Sequence, residues 1–245
     1  MSGAAWGPAD LLWERFLERG RAAFDGGQDA AAEGFWNAAL DLSDRFEAAD
    51  PRRAASLVAA AAVRRARDAG AEAEELLRQA RESWKGSVAW AARLRPALRA
   101  RSSTFHLRLE TRHRASYERL AREACVRKLG AGLGTALNNL AELLDHGGRR
   151  AEAEALYSEA LRARAAALGS HEAGVAVILA NLAGLFEATG HREEARIFHA
   201  RARAIETEGP RAGLARWLSE RPGTLSDERR LEAALWLPPL LRHTG

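Results

Sequence analysis

TALNNLAELLDHGGRRAEAEALYSEALRAR at residues 135–164 and VILANLAGLFEATGHREEARIFHARARA at residues 177–204 say the same thing twice. Laying Asn139 on Asn181 also lays Leu140 on Leu182, Ala141 on Ala183, Gly148 on Gly190, Glu152 on Glu194, Ala153 on Ala195 and Ala160 on Ala202, a constant offset of 42. A fixed period of this size marks a stacked helical array.

Each unit reads as a helical hairpin. Leu137, Leu140, Ala141 and Leu144 recur at helical spacing, Gly147-Gly148 breaks the pattern, and Ala153, Leu156, Tyr157, Ala160 and Leu161 resume it. Ala141 and Ala153 are small where two antiparallel helices come closest, and Leu140, Tyr157 and Leu161 are large enough to fill the space beside them. The phrases LNNLAELL and EAEALYSEALRAR, with this period, resemble the tetratricopeptide repeat in its longer, kinesin-light-chain variety.

Carried backward, the register gives Phe16, Leu57 and Ala97 as equivalents of Leu137, with Leu179 ahead of it. The small residue opening the second helix becomes Ala32, Ala73, His113, Ala153 and Ala195; the one seven residues later becomes Ala39, Ala80, Leu120, Ala160 and Ala202. Between them stand Trp36, Leu77, Tyr117, Tyr157 and His199, so the fifth unit departs from the large apolar pattern there. Five units result, at about 9–48, 50–84, 88–129, 134–168 and 174–206, after a flexible N-terminal stretch 1–8. Gly20 is the close-approach residue of unit one, and Asp50-Pro51 is a capped helix start for unit two. Lys85-Gly86-Ser87 is expected to stop that unit's second helix. Unit three is degenerate, with Arg101 and His113 at small-residue positions and an uninterrupted Ser103 to Leu129 as a single-helix alternative.

Gly209-Pro210 is expected to end the last repeat helix. A short helix over 212–220 and one beginning at the Ser226 N-cap follow, so that residues 210–245 form capping helices. In the terminal helix Leu231, Ala234, Leu235 and Trp236 would cover the last apolar face, with an exposed docking or homo-oligomerising segment as the alternative. The expected fold is all-α, a solenoid of about five antiparallel helix pairs with a C-terminal cap; its right hand and its use for binding are what the tetratricopeptide resemblance implies.

No chemistry-bearing constellation competes with this reading. GAGLG at 130–134 lacks the Rossmann spacing, a preceding strand and a Walker lysine, and reads as an inter-repeat linker. His191, Glu194 and His199 fall on one side of a helix without a second ligand pair, which describes a solvated face better than a zinc site. Cys125 is the single cysteine and reads as a small buried apolar side chain. The chain is therefore expected to be no enzyme and to need no metal or cofactor. No apolar run approaches the ~20 residues that span a membrane, and MSGAAWGPAD has neither a basic start nor an apolar signal core, so a cytoplasmic location is expected.

Two surfaces are candidates for a partner. Of 37 basic residues only Lys85 and Lys128 are lysines, and 11 of the 37 fall between Arg93 and Lys128 against Glu110, Glu118 and Glu123. Within this basic band Arg108, Arg112, Arg119 and Arg122 share a helix face. The band suits an acidic protein partner, or serves a regulatory or nucleic-acid-associated adaptor; nucleic acid is the weaker choice because only Phe105 and Tyr117 could stack on bases. A solvated face is the plain alternative. The second surface is the concave groove that the resembling family uses for a partner peptide or helix. Here its first-helix positions would be Val58, Ala62 and Arg65 in unit two, Asn138, Glu142 and Asp145 in unit four, and Ala180, Gly184 and Glu187 in unit five. Asn138 could both donate to and accept from a peptide main chain. The function read from the resemblance is a non-catalytic protein-interaction scaffold or adaptor.

Overall fold

Four turns with one backbone solution set the architecture. The computed structural model describes residues 8–93, 126–170 and 172–219, and within them every regular element is a helix. Helix α1 spans Pro8–Asp25, α2 Asp29–Ser43, α3 Pro51–Ala66 and α4 Gly70–Arg93. Helix α5 covers residues 126–146, α6 Arg150–Leu168, α7 Ala173–Ala188 and α8 Arg192–Ser219. They pair as α1/α2, α3/α4, α5/α6 and α7/α8. In the turn within each pair one residue is left-handed: Gly27 (φ 70°), Asp68 (φ 59°), Gly148 (φ 77°) and Gly190 (φ 85°). The next N–H then reaches five residues back, Gln28 to Ala23, Ala69 to Arg64, Arg149 to Leu144 and His191 to Phe186, each at 2.8 Å. This arrangement closes the orphan carbonyls of the first helix. Asp68 adopts at a cost what glycine adopts freely in the other three.

The small residues lie where the repeat places them. Ala141, Ala153, Ala183 and Ala195 are buried between paired helices, as are Ala32, Ala39, Ala73, Ala80, Ala160 and Ala202. Trp36, Leu77 and Tyr157 fill the intervening space, whereas His199 stays part-exposed. A Cβ on Gly20 would lie inside the Trp36 indole, whose Nε1 donates to the Leu17 carbonyl at 3.2 Å. At the start of α3 Asp50 accepts from the Arg52 N–H at 2.9 Å, with Pro51 opening the helix.

Among the described residues the helices stack as four pairs. Pair α3/α4 lies directly against α5/α6: Arg81 on α4 donates to Glu159 on α6 at 3.0 Å, Arg149 reaches Glu74 at 2.8 Å, and Arg65 on α3 meets Glu142 on α5. The stretch expected as unit three, 88–129, gives its first residues to α4 and its last to α5. Its residues 94–125 lie outside those described. The joint between α4 and α5 is the same as the next one along. Trp84 packs on Gly132, where a Cβ would sit 2.6 Å from the ring, and Arg164 occupies the corresponding place on Gly174. Both bulky residues and both glycines are related by the register, 80 residues from Trp84 to Arg164 and 42 from Gly132 to Gly174.

Three expected boundaries move for related reasons. GAGLG is part of α5 rather than a linker, because its glycines admit neighbours: Gly132 takes Trp84, a Cβ on Gly134 would lie 3.2 Å from the Ala160 carbonyl and one on Gly130 3.4 Å from the Ala167 Cβ. Lys85-Gly86-Ser87 does not stop α4. One helical glycine costs only about 1 kcal/mol, and buried Trp84, Ser87 and Ala91 anchor the helix on either side, with Ser87 Oγ donating to the Ser83 carbonyl at 3.0 Å. Helix α8 likewise continues past Gly209-Pro210 to Ser219, since a proline removes one hydrogen bond without forbidding the turns after it.

Candidate functional site

The first helices α3, α5 and α7 line the face expected to be the groove, and most of its candidate residues are buried. Val58, Ala62, Asn138 and Glu142 have 0%, 3%, 0% and 0% of their surface accessible, and Asp145 has 7%. Sequence reasoning counted the contacts inside each pair and treated what remained as free. The remainder is used between pairs. Asn181 Nδ2 donates to Asn138 Oδ1 at 2.9 Å, and Asn138 Nδ2 to Asn139 Oδ1 at 3.2 Å. Arg65 ion-pairs with Glu142, which His146 Nδ1 also approaches at 3.2 Å. An accessible groove floor at Val58, Ala62, Asn138 and Glu142 is therefore not what the fold provides. Burial pushes the Glu142 carboxyl above its ordinary range, against the pull of Arg65 and His146. Tyr157 is raised by the same burial, with Asp145 and Glu142 adding to it.

A second polar cluster went unread in the sequence. Arg164, 6% accessible, binds Glu172 through Nε at 2.6 Å and Nη2 at 3.0 Å, and donates to Thr135 Oγ1 at 2.8 Å. Burial opposes the charge on Glu172, but the Arg164 guanidinium and the facing N–H groups of Gly174 and Val175 hold its pKa below the usual range. The cluster ties α5, α6 and the start of α7 together. Its only legible signal was Gly174 at the position of Gly132.

The groove positions of unit five differ from the rest. Ala180 and Gly184 are half-buried and Glu187 is exposed. Beside them a shallow recess on the outward side of α7/α8 is lined by Glu187, Glu193, Arg196, Ile197, His199, Ala200 and Arg203. Ile197 is 66% accessible, more than any other large apolar side chain described. His199 Nε2 meets Glu187 at 3.3 Å, and Arg196 touches Glu193 at 3.2 Å with both side chains largely in solvent. The chemistry available is that of a docking surface, an apolar centre beside two guanidinium groups, with Glu187 and Glu193 engaged by His199 and Arg196.

The other candidates are quickly placed. His191 Nδ1 lies 3.0 Å from Thr189 Oγ1 and its ring stands edge-on to Phe186, so it does not converge with His199. Among the described residues no three His, Cys, Asp or Glu side chains gather as metal ligands, and no helix is long and apolar enough to cross a membrane. Arg108, Arg112, Arg119 and Arg122 of the basic band, Cys125, and the C-terminal Leu231, Ala234, Leu235 and Trp236 lie outside the described residues.

Residues 132–208 match the family model of the tetratricopeptide repeat. No curated protein matches the chain. Among solved structures it is similar to the nearly identical TPR-like repeats of a kinesin light chain from Podosopora anserina, at 19% identity over 83% of this chain and 99% of the other, with a TM-score of 0.36. A single-substitution variant of the same repeats gives 20% identity over 84% and 100%, with a TM-score of 0.37.

Proposed function

Starting from tetratricopeptide-repeat sequence over residues 132–208, we propose that the chain is a non-catalytic interaction scaffold that receives a segment of a partner protein on the outward face of α7/α8. The observation that carries this reading is the change in burial along the first helices. From Ala54 to Val63 every residue of α3 is buried, and α5 is buried almost all round, whereas α7 opens at Ala180, Gly184 and Glu187 beside the Ile197 recess. Of the expected groove, unit five keeps the accessible part. Asn138 acts on that surface indirectly, by holding α7 against α5 through Asn181. Ala200→Trp fills the recess without adding charge. Measured by calorimetry against a partner recovered with the chain, it should lower affinity at least tenfold and leave the thermal midpoint unchanged; unaltered affinity would remove this face from consideration.

A further inference from the structure

The recess is the place where the stack would continue, and its side chains say what could continue it. At the joint between α3/α4 and α5/α6, the two second helices meet through charges. Glu74 on α4 receives Arg149 at 2.8 Å, and Arg81, seven residues on, binds Glu159 at 3.0 Å, with Lys85 Nζ 3.8 Å from the same carboxylate. The register carries Glu74 through Glu154 to Arg196, and Arg81 through Leu161 to Arg203. Position 65, whose arginine meets Glu142, becomes Glu187. At the outward face of α8 the two ion-pairing positions are thus both arginines. Arg203 has no carboxylate partner among the described residues, and Arg196 has only a solvent-exposed contact with Glu193.

Resting on the reading of α7/α8 as the docking face, we propose that its occupant is an amphipathic helix of a partner protein bearing two carboxylates about ten residues apart. That is the separation of Arg149, the N-cap of α6, and Glu159 within it, which answer Glu74 and Arg81. At about 1.5 Å per residue the two carboxylates lie roughly 15 Å apart along the partner helix. A short apolar stripe between them covers Ile197 and Ala200. The occupant continues the internal joint with its charge pattern altered at one end, since Arg196 replaces the acid at position 74. Charge complementarity at a rim contributes orientation and on-rate as well as affinity, and the guanidinium fork suits carboxylates.

The test uses the full chain and two peptide probes built on residues 149–168. The acidic probe carries Arg149→Glu and keeps Glu159; the basic probe keeps Arg149 and carries Glu159→Arg. By fluorescence anisotropy the acidic probe should bind the chain at least tenfold more tightly than the basic one. Combined Arg196→Glu and Arg203→Glu should invert that order, and Ala200→Trp should weaken both probes. No binding of the acidic probe, or equal binding before and after charge reversal, overturns the acidic helix. If Ala200→Trp then still abolishes probe binding, the docking face stands and only its occupant falls; if neither change matters, both fall.

Discussion

Gly174→Ala separates propensity from packing, because the two predict opposite signs. Glycine in a helix is less favourable than alanine by roughly 0.8–1 kcal/mol, so local reasoning expects the substitution to stabilise α7. The structure expects the reverse. A Cβ at Gly174 would occupy the Arg164 guanidinium, with Nη2 2.5 Å away. Arg164 would have to leave Glu172 and Thr135, losing its hydrogen bonds at 2.6, 3.0 and 2.8 Å. Hydrogen bonds to charged groups contribute about 1.5–3 kcal/mol each, and breaking a buried pair costs about 3–5 kcal/mol. Part of this returns because Glu172, 23% accessible, regains water when released. Offset by the helix gain, the net loss is about 2–4 kcal/mol, which lowers the thermal midpoint by about 4–16 °C at 2–4 °C per kcal/mol for a chain of this size. The assay is the circular dichroism melt of Gly174→Ala, Arg164→Ala and the double variant. With Arg164 shortened the clash is gone, so Gly174→Ala should be neutral or mildly stabilising there. A midpoint that rises in the single variant, or additive effects in the double, refutes the glycine-and-guanidinium joint.

Other expectations are similarly direct. Asp68→Gly should stabilise by about 0.5–1 kcal/mol, the left-handed penalty less the entropy of glycine, read from the urea midpoint. Direct contact of units two and four requires coupling between Arg81 and Glu159. Arg81→Glu should destabilise and Glu159→Arg should restore about 0.5–1 kcal/mol in a double-mutant cycle, whereas zero coupling would count against that contact. The two perturbed carboxyls should give opposite pH slopes. Glu142, raised in the fold, adds stability below its unfolded pKa that is lost as pH rises through the folded value, so Glu142→Gln should gain on the wild type from pH 4 to 7. Glu172, depressed in the fold, adds stability above its unfolded pKa that is lost as pH falls through the folded value, and Glu172→Gln should erase that acid-side loss.

The hairpins were legible because a helix pair repeats its closest contact in sequence. Ala141 with Ala153, and Ala183 with Ala195, are small for a reason that recurs every 42 residues. The turn glycines follow from the same logic, and so does the one exception at Asp68. What was not legible is the joint between pairs, since it is made by different chemistry each time. Trp84 and Arg164 share a position but not a character, and their common mark is the small residue across the joint, Gly132 or Gly174. Read alone, those glycines resemble a linker. Asn138 and Glu142 misled in the complementary way: polar residues left over from one pair looked free for a partner, when they bind the next pair.

The order of burial along the array bears on how its pairs select their neighbours. A joint made of Trp84 on Gly132 is nonpolar on its plug side, and the Trp84 Nε1 has no hydrogen-bond partner. The next joint, Arg164 on Gly174, meets its polar demand with Thr135 and Glu172. A buried charge that needs two defined partners accepts only one neighbour, because a wrong pair would leave it unpaired at a cost of several kcal/mol. The Arg164 joint therefore selects α7/α8 as the successor of α5/α6, and in doing so sets which pair ends the described stack. At that end the corresponding position is Glu206, an exposed residue, and the demand for a defined neighbour disappears. What remains is Ile197 between Arg196 and Arg203 at the rim of solvent, where ion pairs are screened and exchange is cheap. The same positions thus hold the array together where they are buried and face solvent where they are not.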